Sequence, residues 1–162
     1  MTTPKNLRPV LVSSAVIADS ERLLRGFRRL ETVVLWFGNI TDSQAVVVTV
    51  IRPNQIRTSG SFDVDARSNA DVAVASCDLG LRLIAQIHTH PGEYVGHSPG
   101  DDEGAPFLTQ GLYSIVVPMY GRRGMLPLSQ CGVHIYEKEF LRLTDQQVNT
   151  TFRFVPNVLD LL

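Results

Sequence analysis

The sequence lacks the features that mark several large classes of protein. Its 162 residues hold only two cysteines, Cys77 and Cys131, which are too few for a disulfide scaffold and do not form a CxxC pair. No run approaches the roughly 18 apolar residues of a membrane-spanning helix. The first apolar run reaches Asp19 before it could serve as a secretory signal. We therefore expect a cytoplasmic protein in a reducing compartment, with no membrane partner.

An excess of charge of one sign is also missing. Fifteen Lys and Arg residues stand against sixteen Asp and Glu, which gives a formal net charge of -1. Many nucleic-acid-binding proteins carry a basic surplus instead, so we expect no nucleic-acid partner. No repeat, low-complexity tract or long linker divides the chain. We predict a flexible N-terminus at residues 1–8 and a single domain over residues 9–162.

Apolar periodicity predicts a mixed sheet with two or three helices. Helical spacing indicates one helix over about Ser20–Leu30, capped by Asp19 or Ser20, and a second over Ala66–Leu79. The turn residues GNITDSQ predict a hairpin between the second and third strands. The predicted strands are Pro9–Val16, Val33–Phe37, Ala45–Ile51, Arg82–His88, Tyr113–Val117, Gly132–Tyr136 and Phe152–Val155.

One segment carries residues suited to metal chemistry. His88 and His90 are two apart on a predicted strand, so both imidazoles point to the same face and can reach one metal ion. Pro91 ends that strand, and a glycine-containing loop can return the chain so that Asp101 supplies an oxygen ligand. Three protein ligands leave a fourth tetrahedral position for a water, whose pKa zinc lowers to roughly 7.

These residues form a longer pattern: His-x-His-Pro, six residues, Ser-x-x-Asp, and an upstream Glu at the start of an apolar strand. The pattern resembles the JAMM (MPN+/JAB) family of zinc metallopeptidases. The resemblance implies an α+β, α/β/α-like fold of the JAB/MPN (cytidine deaminase-like) type, with a mixed, largely antiparallel sheet flanked by helices. In the Glu-led strand, Gly38 matches the family form, whereas Val34 and Trp36 replace its glycine and leucine.

The resemblance also implies a role for each residue of the pattern. It makes His88, His90 and Asp101 the ligands of one zinc ion per chain, with a bound water or hydroxide. Glu31 becomes the general acid/base, and Ser98 donates a hydrogen bond to the oxyanion of the tetrahedral intermediate.

Several residues in and near the pattern also have ordinary structural interpretations. Ser98 is a good helix N-cap with Pro99 at the first helical position, and both roles of Ser98 can hold together. Asp102 is expected to be a solvated first-turn acid. His97 is expected in the loop near the mouth of the site, and His134 is expected to be structural.

The function implied by the resemblance is removal of a ubiquitin-like protein from a lysine or a C-terminal extension. Its C-terminal tail is the expected partner, held in a groove that the segments Arg52–Asp65 and Gly104–Gly111 could shape. The compact chain resembles bacterial members found in operons with E1-like and E2-like proteins, including antiphage defence systems. The alternatives are processing of a sulfur carrier or a small peptide adduct, and an inactive MPN-type scaffold.

Overall fold

The computed structural model describes residues 4, 7–26, 29–98, 100, 101 and 107–157. Eight strands form the main sheet: β1 (Val10–Ser13), β2 (Val33–Ile40), β3 (Ala45–Ile51), β6 (Arg82–Thr89), β7 (Tyr113–Val117), β8 (Gly132–Tyr136), β9 (Phe140–Arg142) and β10 (Phe152–Val155). A separate hairpin is made by β4 (Ile56–Arg57) and β5 (Phe62–Asp63). The helices of the described residues are α1 (Ser14–Arg25), α2 (Ala66–Asp78) and α3 (Asp145–Thr151).

The main sheet is mixed, as predicted. Its strand order is β10-β1-β3-β2-β6-β7-β8-β9. Four neighbouring pairs are antiparallel, and the pairs β1/β10, β1/β3 and β6/β7 are parallel. Helices flank this sheet, so the predicted α+β fold class is confirmed. None of the helices in the described ranges is long and apolar enough to cross a membrane.

The two faces of the sheet have different compositions. One face joins the main apolar core, in which Trp36 lies fully buried and donates from Nε1 to Ser20 Oγ of α1 at 2.8 Å. The other face has a small apolar cluster under α2, built around Val33, Leu35, Phe37 and Val72. Because Val33 pairs with His88 in the β2/β6 register, His88 shares the face of this smaller cluster.

The predicted first helix is wrong in its bounds. It begins at Ser14, not Ser20, because the Ser13 side chain accepts a hydrogen bond from Val16 N–H at 3.3 Å and caps the helix there. The apolar run Pro9–Val16, predicted as one strand, therefore changes from strand to helix between Ser13 and Ser14. Ser20 lies inside the helix, and its hydroxyl donates to the Val16 carbonyl. The helix ends at Arg25; residues 27 and 28 of the predicted span lie outside the described residues.

The remaining elements follow the prediction more closely. The strands β3, β7, β8 and β10 have the predicted bounds, and the predicted hairpin of β2 and β3 is present. The prediction missed the β4–β5 hairpin, β9 and α3. Of these, α3 has a recognisable signal, since Thr144 and Gln147 form a reciprocal capping box. Residues 1–3 and 5–6 of the predicted flexible N-terminus lie outside the described residues.

Gly38 lies where β2 shifts register against β3, and we predict that Gly38→Ala destabilises the fold. A Cβ atom at this position would lie 1.9 Å from the Val46 carbonyl oxygen of the paired strand. Backbone would have to move, which costs roughly 1–3 kcal/mol or more in the free energy of unfolding. Urea denaturation measures this, with Gly60→Ala as the control, since nothing lies within 4 Å of that position. Equal stability of the two variants would contradict the close approach.

Candidate metal centre

Three candidate metal ligands, two at the end of β6 and one from the following loop and turn, lie close together. His88, His90 and Asp101 are buried, and one ligand atom from each lies within 4.8 Å of the others. His88 Nε2 is 3.3 Å from Asp101 Oδ1, and His90 Nε2 is 3.3 Å from Asp101 Oδ2. Two atoms bound to zinc at 2.0–2.1 Å with a tetrahedral angle lie about 3.3–3.4 Å apart. The observed spacing therefore fits a zinc-type site.

His90 is oriented for ligation by a backbone hydrogen bond. Its Nδ1 lies 3.0 Å from the carbonyl oxygen of Tyr94. A carbonyl only accepts, so Nδ1 carries the proton and Nε2 presents its lone pair to the site. The sequence carries no signal for this contact, because any residue type at position 94 has the same carbonyl.

Asp101 is held by the start of the helical turn that contains it. Ser98 N–H donates to Asp101 Oδ2 at 2.7 Å, and Asp101 N–H donates to Ser98 Oγ at 3.2 Å. This reciprocal pair has the form of a capping box. The bond from Asp101 N–H agrees with the predicted N-cap role of Ser98, and the return bond to the Asp101 carboxylate was not predicted. Pro99, expected at the first helical position, and Asp102 lie outside the described residues.

Electrostatics favour an ionised Asp101 beside the imidazoles. Burial acts to raise the pKa of Asp101, but its interactions with His88 and His90 outweigh burial and hold that pKa well below its usual range. Burial lowers the pKa of His88. Burial also acts to lower the pKa of His90. The hydrogen bond and negative charge of Asp101 outweigh burial, so the pKa of His90 is raised. A carboxylate and two convergent imidazoles suit a divalent cation.

Glu31 lies two residues before the start of β2, near His90 and Asp101. Thr89 N–H donates to the Thr32 carbonyl at 3.1 Å, so the β2/β6 register continues to place Glu31 opposite His90. Glu31 N–H donates to the Thr58 carbonyl at 2.8 Å. Glu31 is 5% exposed as a residue, and burial raises the pKa of its carboxyl group to about 7. Glu31 can therefore exchange a proton near neutral pH.

The segment Arg52–Asp65 anchors this part of the chain. Gln55 is buried and bridges the start of β2, with Oε1 accepting from Val33 N–H at 2.8 Å and Nε2 donating to the Val33 carbonyl at 2.9 Å. On the following hairpin, the Phe62 ring lies 5.6 Å from that of His88. Nothing in the sequence pattern indicated these contacts. The second segment predicted to shape the groove is Gly104–Gly111, and its residues 104–106 lie outside the described residues.

The loop that follows His90 packs directly against β8. A Cβ atom on Gly132 would lie 1.7 Å from the Val95 carbonyl oxygen. Only glycine permits this approach. The close contact fixes the loop that supplies the Tyr94 carbonyl to His90.

Fold and site together define a metal-binding protein of the JAB/MPN type. No family model matches the chain. It is 34% identical over 128 residues, 75% of this chain and 78% of the relative, to a protein named "Probable metalloprotease y4jG" from Sinorhizobium fredii. The chain belongs to the JAMM (MPN+/JAB) family of metallopeptidases. It is thus a hydrolase of the metallopeptidase class, and the buried group His88, His90 and Asp101 fits its metal site.

Two solved structures are similar in fold. Protein DSY2949 from Desulfitobacterium hafniense superposes with a TM-score of 0.68 at 14% sequence identity, covering 92% of this chain and 94% of that one. AF2198, a JAB1/MPN domain protein from Archaeoglobus fulgidus, gives a TM-score of 0.49 at 13% identity over 84% of this chain and 96% of its own. The first of these likenesses supports the fold alone.

We predict that Ser98→Ala lowers turnover by roughly a hundredfold or more and stability by about 1 kcal/mol. Ser98 Oγ accepts from Asp101 N–H, which leaves the hydroxyl proton free of acceptors among the described residues and able to reach an oxyanion. Thr144→Ala is the matched control, because Thr144 makes the same cap contact to Gln147 N–H at 3.2 Å in α3. Kinetics and thermal unfolding of both variants measure the effects. Equal turnover losses would leave Ser98 with a capping role only.

Proposed function

We propose that the chain is a zinc-dependent isopeptidase that releases a ubiquitin-like protein from a lysine or a C-terminal extension. The observation that carries the proposal is a buried carboxylate, Glu31, placed outside a ligand group formed by His88, His90 and Asp101. Hydrolysis of an amide needs both a metal position and a nearby group that carries a proton to the leaving amine. The arrangement supports both requirements.

Each of these residues has a defined task in the proposed reaction. His88, His90 and Asp101 would hold zinc, which when bound polarises the substrate carbonyl and lowers the pKa of water. Glu31 takes a proton from the attacking water and returns it to the leaving amine. The hydroxyl of Ser98 donates to the oxygen on which negative charge develops. The Tyr94 carbonyl and the Ser98 cap keep the ligands oriented throughout.

The surroundings of the centre support an extended peptide as substrate. Among the described residues β4 and β5 join no other strand, and the residue after β4 is already tied to the chain beside β2, since Glu31 N–H donates to the Thr58 carbonyl. The outer edge of β5 is the edge that we assign to pairing with an extended peptide. Ile56 on this hairpin is 71% exposed, and Tyr94, stacked on His90 with ring centroids 6.1 Å apart, is 67% exposed. Backbone pairing and apolar contacts are what hold an extended tail.

The proposal extends to the setting of the enzyme. The free thiols of Cys77 and Cys131 support a cytoplasmic location, where thiols stay reduced. Conjugates made by E1-like and E2-like proteins, as in a bacterial antiphage system, would be the source of substrate. Cleavage of a sulfur-carrier fusion or a small peptide adduct would use the same residues, and substrate comparison separates these uses.

We predict faster cleavage after glycine than after a larger residue. A tail that passes His88, His90 and Ser98 needs close backbone approach, which a side chain before the scissile bond obstructs. The assay compares two fusions of one ubiquitin-like protein, with Gly or Leu before the scissile bond, and an unrelated unfolded peptide. Equal rates on all three would indicate a broad peptidase. Cleavage of none by the zinc-loaded chain would favour an inactive scaffold.

A further inference from the structure

The four histidines of the chain form one cluster. His88 and His90 belong to the ligand group, and their ring centroids are 5.1 Å apart. The ring centroid of His97 lies 5.7 Å from that of His88 and 4.7 Å from that of His134. These two rings extend the cluster away from the ligand group. The proposed reaction uses neither His97 nor His134.

His97 is fixed from three sides. Its ring stacks on Phe140 at 4.1 Å and meets His134 edge-on, and its Nε2 lies 2.7 Å from Ser114 Oγ. Gln86 Nε2 also donates to Ser114 Oγ, at 3.2 Å. The Ser114 hydroxyl therefore links His97 to Gln86, and its contact with His97 Nε2 fixes the in-plane orientation of the ring. These contacts hold the His97 ring in one orientation.

The two histidine ligands are oriented by different means. His90 Nδ1 has a backbone hydrogen bond to Tyr94, whereas His88 Nδ1 has no hydrogen-bond partner among the residues that the structure describes. A ligating histidine usually gains its ring orientation from a hydrogen bond to the other ring nitrogen. The His88 ring lies instead against Phe62 at 5.6 Å and, nearly perpendicular at 84°, against His97.

We propose that His97 is a positioning residue for His88, and that its planar ring orients His88 Nε2 toward the metal. This inference rests on the proposed metal centre and adds a residue outside the ligand set. His88 is fully buried, so the rings around it restrict its rotamers. Without the His97 ring, the His88 side chain can adopt other rotamers. Metal binding must then restrict His88 to the rotamer that ligates, which lowers the affinity.

The test measures metal affinity in variants that separate the ring from its hydrogen bond. His97→Ala should lower zinc affinity about 10- to 100-fold, the usual cost of losing an outer partner of a ligand. His97→Phe, which keeps a planar ring without Nε2, should stay close to wild type. Competition with a chromophoric chelator gives the affinities, and the visible spectrum of the Co²⁺-loaded protein reports ligand geometry. His97→Leu, which fills the volume without a planar ring, substitutes for His97→Ala where that variant does not fold.

A control separates positioning from general stability. Ile135→Val removes a methylene from a buried residue of the main apolar core, on the opposite face of the sheet, and should lower the Tm by a few degrees without changing zinc affinity. Wild-type affinity and spectrum in His97→Ala would overturn the proposal. Equal losses in His97→Ala and His97→Phe, or in His97→Ala and Ile135→Val, would do so too. A wild-type chain that binds no zinc would overturn the proposed function and this inference with it.

Discussion

Glu31→Gln is expected to lower turnover by roughly 100- to 10,000-fold while the chain stays folded and binds metal as before. The amide keeps the shape of the carboxyl group but cannot carry the proton between water and the leaving amine. Glu31 lies outside the ligand group, so the ligand atoms of His88, His90 and Asp101 are unchanged. Initial rates on a cleavable fusion, together with metal content, measure both expectations.

Glu93→Gln is the matched control for this change. Glu93 lies in the neighbouring loop and pairs with Arg123 on the surface, where its side chain is 73% exposed. Its amide variant should turn over substrate as the wild type does. Near wild-type turnover of Glu31→Gln would place the proton carrier elsewhere.

Glu31→Gln is also expected to change the pH dependence of stability. Burial raises the folded-state pKa of Glu31 from 4.5 to about 7, so the unfolded chain loses this proton first as the pH rises. The contribution of Glu31 to the stability of the metal-free wild type should therefore fall between pH 4.5 and 7, and this loss should persist at higher pH. Gln does not titrate. The Tm difference between variant and wild type should shift in favour of the variant as the pH rises from 4.5 to 7.

After reconstitution, the wild type is expected to bind one equivalent of zinc per chain. Asp101→Ala is expected to abolish this binding. Loss of one of three ligands leaves two imidazoles, which should weaken binding by more than the 10- to 100-fold cost of losing an outer partner. Zinc should raise the Tm of the wild type, since a ligand that binds only the folded state stabilises it, but not that of the variant. Elemental analysis and thermal unfolding measure these effects, and a chelator should abolish cleavage.

Asp102→Ala tests the choice between adjacent carboxylates. Asp102 lies outside the described residues, whereas both Asp101 oxygens face histidine nitrogens at 3.3 Å. The Asp102 variant should keep its zinc. Metal loss in Asp102→Ala with retention in Asp101→Ala would reverse the assignment, and less than about half an equivalent in the wild type would reject the three-ligand site.

What the sequence could predict depended on local pattern. The shared direction of His88, on β6, and His90, just after it, follows from the two-residue period of a strand, and the bounds of β7 and β8 follow from apolar runs between turns. The N-cap role predicted for Ser98 likewise agrees with the bond from Asp101 N–H to Ser98 Oγ. The catalytic and ligand roles of these residues remain predictions for the variants above to test.

The features missed by sequence analysis depend on contacts between distant residues or on segments too short to show a period. The β4–β5 hairpin has two residues in each strand, so no alternation can indicate it. Gln55 reaches Val33 across 22 positions, and the Tyr94 carbonyl is independent of residue type. In α1, one continuous apolar run concealed a change from strand to helix that the Ser13 cap defines.

The reciprocal hydrogen bonds of Ser98 and Asp101 link metal binding to local opening of the backbone. Asp101 faces both histidines through its carboxylate and receives the Ser98 amide on the same group, so fraying of this turn would displace a ligand. A bound cation should hold the turn closed. Amide hydrogen exchange at Ser98 and Asp101 should therefore slow when zinc is added, even where the rest of the sheet exchanges at an unchanged rate.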